Sequence, residues 1–403
     1  VSLSRLEHQW PGPWVHHQLR GGLMKNWTNL AFRLVTVGML GAAMTACEAP
    51  DPIVNNGTGG TGGTGGAGGS PETLCDVNAG TMDMSGPMCK PLPDDYTPRD
   101  NASMNDTWPA CISDQNKYVP FDMNISSMAR VAAFQKISEL LGFGGTKTPT
   151  TQDFIDARVQ YSLTEGIESR VVRREDDHYP AAPKACRDMP AAEQAQYPDR
   201  CVGPVKIMPI INAAFEAGIK GEQPVYNSAR LEAALLWFFY ISTYKEAISA
   251  AEAFVDTDSC WAYYTGGEPR ENAIGFAKYV HDRSVEAHDR IWDALLAVRC
   301  WRDLDNPTGV AMDQATQMRA VGQLDRALLR GVALILRQRV LAASSCELVQ
   351  PSVEILGNVL LREAKVRDAA QATILEQEIA KKPPNVIDGA KVAAAIDALF
   401  PCP

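Results

Sequence analysis

An uninterrupted run of nine apolar residues, 233–241, lies inside a predicted helix over residues 227–254. A helix that is apolar on all sides must be covered by other elements, so we expect it at the centre of a globular domain. Strand-like alternation of apolar and polar residues is scarce in the rest of the chain. The elements that cover the central helix are therefore predicted to be helices as well.

Further helices are predicted from amphipathic spacing and from helix-capping signals. The segments that follow the central helix are residues 271–300, 311–342, 351–381 and 388–399. Before it, the residues from Thr150 to Asp153 have the spacing of a capping box at the start of a helix. We therefore predict an all-α fold over residues 107–403, an antiparallel multi-helix bundle of seven or eight helices.

The residues before this domain have a composition that does not support a core. Nine of the thirteen residues over 57–69 are glycine, and polar, proline-containing sequence continues to residue 105. Such sequences remain flexible coil because they contain too little apolar surface to bury. We expect residues 47–106 to form a disordered, Gly/Pro-rich tether.

The start of the chain resembles a bacterial lipoprotein signal. Lys25 and Arg33 are basic, and residues 34–46 form an uncharged, mostly apolar stretch of thirteen residues. That length is typical of a signal peptide and is too short to span a membrane, which takes about 20 residues. The stretch ends in Met44-Thr45-Ala46-Cys47, which resembles a lipobox. Cys47 is therefore the predicted lipidation site.

These features predict where the protein acts. We expect translation to begin at Met24, with residues 1–23 a mis-assigned start and residues 24–46 a signal peptide. The lipid would anchor the protein to a membrane of the cell envelope, facing the periplasm or the outside. Glu48 after the lipid site favours the outer membrane over the inner one, by analogy with enteric sorting.

The charge of the chain excludes one class of partner. Asp and Glu number 48 against 38 Lys and Arg, which gives a net charge of -10 at pH 7. An acidic chain repels the phosphate backbone of nucleic acids, so we expect no nucleic-acid partner.

Ten cysteines are many for a cytosolic protein and fit an exported chain that forms disulfide bonds. No Cys-x-x-Cys motif occurs, which argues against a zinc knuckle or a thioredoxin-type site. The predicted pairs are Cys75 with Cys89 and Cys186 with Cys201, which close short loops, and Cys300 with Cys346 and Cys111 with Cys402, which join distant segments. Cys260 is then left unpaired, although spacing alone does not fix this connectivity.

His281 and His288 lie seven residues apart on the apolar arc of the predicted helix over residues 271–300. Both side chains are therefore expected to point inward. A buried imidazole needs a partner for each nitrogen or loses its proton. One interpretation is a metal or cofactor site inside the bundle; the other is two core histidines bonded to Ser284 and to neighbouring helices.

A second cluster combines acidic, imidazole and phenol side chains in one stretch of sequence. Its candidate metal ligands are Glu165, Glu168, Asp176, Asp177, His178 and Tyr179. Ferric iron prefers oxygen ligands and tolerates imidazole, so this set of donors suits iron. The nearby Arg170, Arg173 and Arg174 neutralise much of the charge, and an ordinary salt-bridged loop is the alternative interpretation.

The segment from Cys260 to Gly266 reads Cys-Trp-Ala-Tyr-Tyr-Thr-Gly. It resembles a Trp-Ala-aromatic-Tyr-x-Gly segment of the low-iron-inducible periplasmic proteins of algae, and the order of helices is compatible over residues 111–401. The lipobox and the Gly-rich tether depart from that family's setting. The resemblance implies an extracytoplasmic role in iron binding or assimilation, with iron as the cofactor. The aromatic side chains could equally serve in packing.

The sequence therefore leaves three alternative functions. The first is a membrane-anchored lipoprotein whose helical domain binds a ligand, with iron or another metal as the candidate. The second is a structural or protein-interaction lipoprotein without metal, and the third is a hydrolase without a recognisable motif. The motifs His-Glu-x-x-His, Gly-x-Ser-x-Gly and Gly-x-x-x-x-Gly-Lys are absent, so we expect a binding protein rather than an enzyme.

Overall fold

A computed structural model describes residues 91–98, 108–342, 346–382 and 386–401. The predicted signal peptide, the lipidation site Cys47, the Gly-rich part of the tether and the predicted pair of Cys75 with Cys89 lie outside these residues. The described part of the chain is all-α and contains no β-strand, so the predicted fold class is confirmed.

Thirteen α-helices occur within these ranges, whereas seven or eight were predicted. They are α1 (Ser127–Leu141), α2 (Thr151–Tyr161), α3 (Glu168–Val171), α4 (Ala191–Gln194), α5 (Met208–Ile219), α6 (Pro224–Ser249), α7 (Asp256–Thr265), α8 (Gly275–His281), α9 (Val285–Leu304), α10 (Gln314–Leu341), α11 (Val349–Arg367), α12 (Ala369–Ile379) and α13 (Gly389–Leu399). Short 3-10 segments at Ile112–Gln115 and Cys186–Asp188 and a π-helical turn at Gly203–Ile207 complete the helical structure.

Helix α6 carries the apolar run and is the central helix of the bundle. All nine residues of the run are buried. It packs against α5, α7 and α11, while α9 and α10 form the most extensive helix pair elsewhere in the bundle. None of the helices in the described ranges is long and apolar enough to cross a membrane.

Side-chain caps set the helix boundaries. The Thr150 side chain accepts a hydrogen bond from the Asp153 backbone, and the Asp153 side chain accepts one from the Thr150 backbone, which confirms the predicted capping box. The predicted helices over residues 271–300 and 351–381 are each divided in two. Ser284 caps α9 and Asp368 caps α12, each in an extended backbone conformation that interrupts the helix before it.

Part of the predicted tether packs against the helical domain. Residues 91–98 fall in the predicted tether, yet Tyr96 is fully buried against the bundle. Its backbone N–H donates to Gln323 Oε1 at 2.8 Å, and its carbonyl accepts from Gln323 Nε2 at 2.9 Å. These two bonds and the buried ring attach the segment to α10, so the folded domain begins before residue 107.

Two disulfides are described, and one of them was predicted. Cys186 pairs with Cys201 as expected, whereas Cys111 pairs with Cys300 across 189 residues. The predicted pairs of Cys300 with Cys346 and of Cys111 with Cys402 are therefore wrong, because the 3-10 segment after Cys111 packs against α9. Cys260 is free, as predicted, and it is buried.

Candidate functional site

The two candidate histidines lie on different helices. His281 ends α8 and has a side chain that is 35% exposed, whereas His288 lies in α9 and is buried. The prediction that both point inward from one helix is wrong, because the chain leaves the helical conformation at Ser284. Their rings still contact each other edge to face, with centroids 5.3 Å apart.

His288 has a partner for each ring nitrogen. Nδ1 lies 3.0 Å from the hydroxyl of Tyr264, and Nε2 lies 3.0 Å from the carbonyl oxygen of Arg270. Burial lowers the pKa of His288 to about 4, so the ring is neutral at pH 7. These contacts match the interpretation of a satisfied core histidine.

The second predicted cluster is divided among several ion pairs. Glu165 lies near Arg170 and Arg130, and Glu168 accepts from Arg158 at 2.8 Å. Arg200 holds both Glu175 and Asp177, with its Nη2 2.6 Å from the Asp177 carboxylate. Within the described ranges no group of three or more His, Cys, Asp or Glu side chains is placed to hold a metal ion. Iron binding therefore stays a prediction.

The irregular segment 174–179 separates two cavities. Arg174, Glu175 and Asp177 line one cavity, whereas Asp176, His178 and Tyr179 line another. The six candidate ligands thus do not face a common point. We call the first of these the cationic cavity and the second the His178 cavity.

His178 is held between two carboxylates. Its Nδ1 lies 2.6 Å from Asp176 and its Nε2 lies 3.0 Å from Asp325, and its ring stacks on Tyr244 with centroids 3.7 Å apart. Tyr240 also donates to Asp325 at 2.9 Å. Burial alone would lower the pKa of His178, but the hydrogen bonds and charges of the two aspartates raise it to about 9. His178 is therefore a buried imidazolium at neutral pH.

The cationic cavity has a volume of about 410 Å³. It lies where the start of α1, the end of α3, the end of α6, helix α7 and the loop closed by Cys186–Cys201 meet. Its charged lining residues are Arg130, Arg170, Arg173, Arg174, Arg187, Arg200, Lys245, Glu175, Asp177, Glu246 and Asp256. Seven cationic side chains face four carboxylates, so the lining carries an excess of three positive charges in a chain whose net charge is -10.

Arg174 is fixed in the wall of this cavity. Its Nη1 donates to Glu246 at 3.1 Å, and its Nη2 donates to the hydroxyl of Tyr263 at 3.2 Å. The guanidinium also lies over the Tyr263 ring, 5.4 Å from its centroid. Both terminal nitrogens of Arg174 are therefore occupied by protein groups, and its charge is largely compensated by Glu246.

Arg130, unlike Arg174, has a hydrogen-bond partner for only one of its two terminal nitrogens. Its side chain is 1% exposed, and only Nη1 has a hydrogen-bond partner, the hydroxyl of Ser126 at 3.2 Å. Nε and Nη2 are buried and bond to no group in the described ranges. The nearest carboxylate, Glu165, lies 3.6 Å away on a side chain that is 70% exposed. Burial lowers the pKa of Arg130, and the adjacent Arg170 and Arg174 lower it further.

The sequence-based predictions did not include the cationic cavity, although three of its arginines lie close together in the sequence. Arg170, Arg173 and Arg174 were interpreted only as counter-charges to the acidic residues around them. Arg130 is a single arginine in an amphipathic helix, and nothing in its sequence neighbourhood indicates that it is buried. Tyr263 belongs to the segment that carries the resemblance to the algal proteins, and here the guanidinium groups of both Arg130 and Arg174 lie over its ring.

When compared with protein-family models, curated protein sequences and solved structures, the chain matches none of them.

Proposed function

We propose that this protein is an envelope-anchored lipoprotein whose helical domain binds a small oxyanion, such as a phosphate, a phosphate ester or a polycarboxylate, in the cationic cavity. The observation that carries the proposal is the buried side chain of Arg130, which lines the cavity and has two nitrogens without a hydrogen-bond partner in the described ranges.

The charge of the cavity supports an anionic ligand. Burying an ion is costly unless an opposite charge and hydrogen bonds compensate it. Arg130 is compensated only in part, by one hydrogen bond to Ser126 and by the largely exposed Glu165 3.6 Å away, while its neighbours Arg170 and Arg174 add repulsion. An oxyanion would supply acceptors for Nε and Nη2 of Arg130 and would offset the excess positive charge. Guanidinium groups bind phosphate and carboxylate through paired hydrogen bonds, which gives the site its selectivity.

The size and polarity of the cavity further limit the class of ligand that it can bind. A volume of about 410 Å³ lies at the lower end of the range for small-molecule sites, which is roughly 300–1,000 Å³. Ser126, Ser127, Ser259 and Tyr263 add hydroxyl groups to the charged lining. A compact, hydroxyl-rich anion fits such a wall better than an apolar molecule.

Anion binding is tested by thermal unfolding and calorimetric titration with inorganic phosphate, glycerol phosphate and citrate at constant ionic strength. A probe that binds the native state raises the melting temperature by mass action when it is added at millimolar concentration. We expect Arg130→Gln to weaken binding at least tenfold. The same variant should leave the ligand-free protein as stable as the wild type or more so, because it removes a buried charge that Glu165 compensates only in part.

Arg337→Gln is the matched control, because Arg337 pairs with Asp397 at the surface of the bundle and does not line the cavity. It should bind the probes as the wild type does. A wild type whose melting temperature ignores all three probes contradicts the proposal, as does an Arg130→Gln variant with unchanged affinity.

The anchor is tested separately. Cys47→Ser should release the protein from membranes and block removal of the signal peptide, because the thiol that carries the lipid is lost. Unchanged fractionation of this variant with membranes would contradict the lipoprotein part of the proposal and leave the cavity unaffected.

A further inference from the structure

A second group of arginines lies apart from the cationic cavity. These arginines line a cavity of about 130 Å³. They are Arg290 of α9, Arg326 and Arg330 of α10, and Arg367 of α11. We call these residues the four-arginine cluster. The segment 91–96 closes one side of it, because Leu92, Asp95 and Tyr96 belong to the same lining. The cluster therefore lies where the chain enters the helical domain.

Three of the four arginines have carboxylate partners. Arg290 donates to Glu286 at 3.0 Å, Arg367 donates to Glu363 at 2.9 Å, and Arg326 pairs with Asp95. Arg330 forms no hydrogen bond or ion pair with any residue in the described ranges. The other carboxylate in the lining, Asp293, is taken by Arg270 at 2.6 Å. Four cations thus face two carboxylates, both of which already have partners.

The surroundings of Arg330 make its charge unfavourable in the empty cavity. Burial lowers the pKa of its guanidinium, and Arg367, Arg290 and Arg326 lower it further, with only Asp95 acting in the opposite direction. Arginine stays protonated at neutral pH despite such a shift. A bound anion would relieve the repulsion among the four side chains.

We propose that the four-arginine cluster binds one phosphate group, carried either by a free phosphate ion or by a phospholipid headgroup. The cavity is about a third the volume of the cationic cavity, so it accommodates a single tetrahedral oxyanion and not a larger polyanion. Forked guanidinium donors match the oxygen geometry of phosphate. This inference is independent of the function proposed for the cationic cavity.

The test uses the predicted mature chain, residues 47–403, with Cys47→Ser, so that neither a lipid of its own nor the apolar stretch 34–46 attaches the protein to vesicles. Arg130→Gln is added to remove the proposed anion site in the cationic cavity. Titration of this protein with inorganic phosphate should still show one site. Adding Arg330→Gln should weaken that site at least tenfold, while Arg337→Gln on the same helix should leave it unchanged.

Vesicles distinguish the two sources of phosphate. If the cluster takes lipid headgroups, the protein should co-sediment with phosphatidylglycerol vesicles, free phosphate should compete, and Arg330→Gln should abolish binding. The net charge of -10 opposes non-specific attraction to anionic vesicles, so such binding would point to a specific site. Binding of free phosphate without vesicle binding supports the free ion. Binding of neither, or binding that Arg330→Gln does not change, overturns the proposal.

Discussion

Nε2 of His178 lies 3.0 Å from Oδ1 of Asp325, which joins the segment before α4 to the middle of α10 across 147 residues. Asp176 holds the other ring nitrogen, and Tyr244 of α6 stacks on the ring face. The segment that carries His178 also carries Arg174, which lines the cationic cavity. The contacts of His178 therefore hold the segment that carries Arg174.

We call the pairing of His178 with Asp176 and Asp325 the His178 clamp. This clamp predicts a loss of stability at alkaline pH. The folded-state pKa of about 9 lies above the ordinary value of 6.5, so the stabilisation is complete below pH 6.5 and is lost as the pH rises through 9. Between pH 7 and pH 10 the free energy of unfolding should fall by roughly 2–3 kcal/mol from this group. Denaturant titration of the wild type and of His178→Gln at several pH values measures it.

The difference between the two proteins isolates the histidine, because tyrosines and lysines that titrate in the same range contribute to both. His281→Gln is the control, since that side chain is partly exposed and is not held between two carboxylates. Equal pH slopes for wild type and His178→Gln would show that the clamp is not charged at neutral pH.

His288 predicts the opposite dependence. Its folded-state pKa of about 4 lies below the ordinary value of 6.5, so the unfolded state takes up the proton first. Stability should fall as the pH drops from 6.5 towards 4, on the order of 3 kcal/mol from this group. His288→Gln, which retains hydrogen-bonding atoms, should show a shallower loss in acid-unfolding curves. A slope equal to that of the wild type would contradict a neutral, buried His288.

The sequence allowed correct prediction of those parts of the fold that local sequence signals determine. The apolar run of α6 and the capping box at Thr150 are local, and both were predicted correctly. The divisions at Ser284 and Asp368 were not, because a serine or aspartate inside an amphipathic pattern is compatible with a continuous helix. Only the extended backbone at these residues makes them caps.

The candidate site was less accessible because its residues come together only in the folded chain. Proximity in sequence grouped Asp176, Asp177 and His178, yet consecutive side chains of this irregular segment face different cavities. Asp325, the second partner of His178, has no local feature that connects it with residue 178. Burial of Arg130 depends in the same way on the packing of α1 against α7.

A buried ion pair in the central helix provides the third prediction. Glu232 accepts from Arg339 at 2.7 Å and from the hydroxyl of Tyr279 at 2.6 Å, and both members of the ion pair are almost fully buried. Glu232→Gln would leave Arg339 without a counter-charge beside Arg283. Such changes cost about 3–5 kcal/mol. Denaturant titration should show a loss of this order.

Replacing both members of the pair, with Glu232→Leu and Arg339→Leu, should recover much of that loss, because no charge is then left unpaired in the core. Asp282→Asn is the surface control, since its pair with Lys278 is exposed and should contribute less than about 1 kcal/mol. A Glu232→Gln variant as stable as this control would mean that Arg339 finds compensation elsewhere.

The two described disulfides should have separable effects on stability and on binding. The Cys111–Cys300 bond closes a loop of 189 residues and the Cys186–Cys201 bond a loop of 15. In the chain-entropy model these are worth about 5 and about 3 kcal/mol, so replacing the first pair by Ala should lower the melting temperature more. The second bond closes the loop that brings Arg187 and Arg200 to the cationic cavity.

Replacing Cys186 and Cys201 by Ala should therefore weaken anion binding more than it lowers the melting temperature, whereas replacing Cys111 and Cys300 should do the reverse. The reason is that the small cluster around Cys186 and Cys201 is separate from the main core, so its loop can loosen without unfolding the bundle. Melting curves with and without citrate measure both quantities on the same samples. Equal losses of affinity in the two variants would mean that the loop does not position the cavity wall.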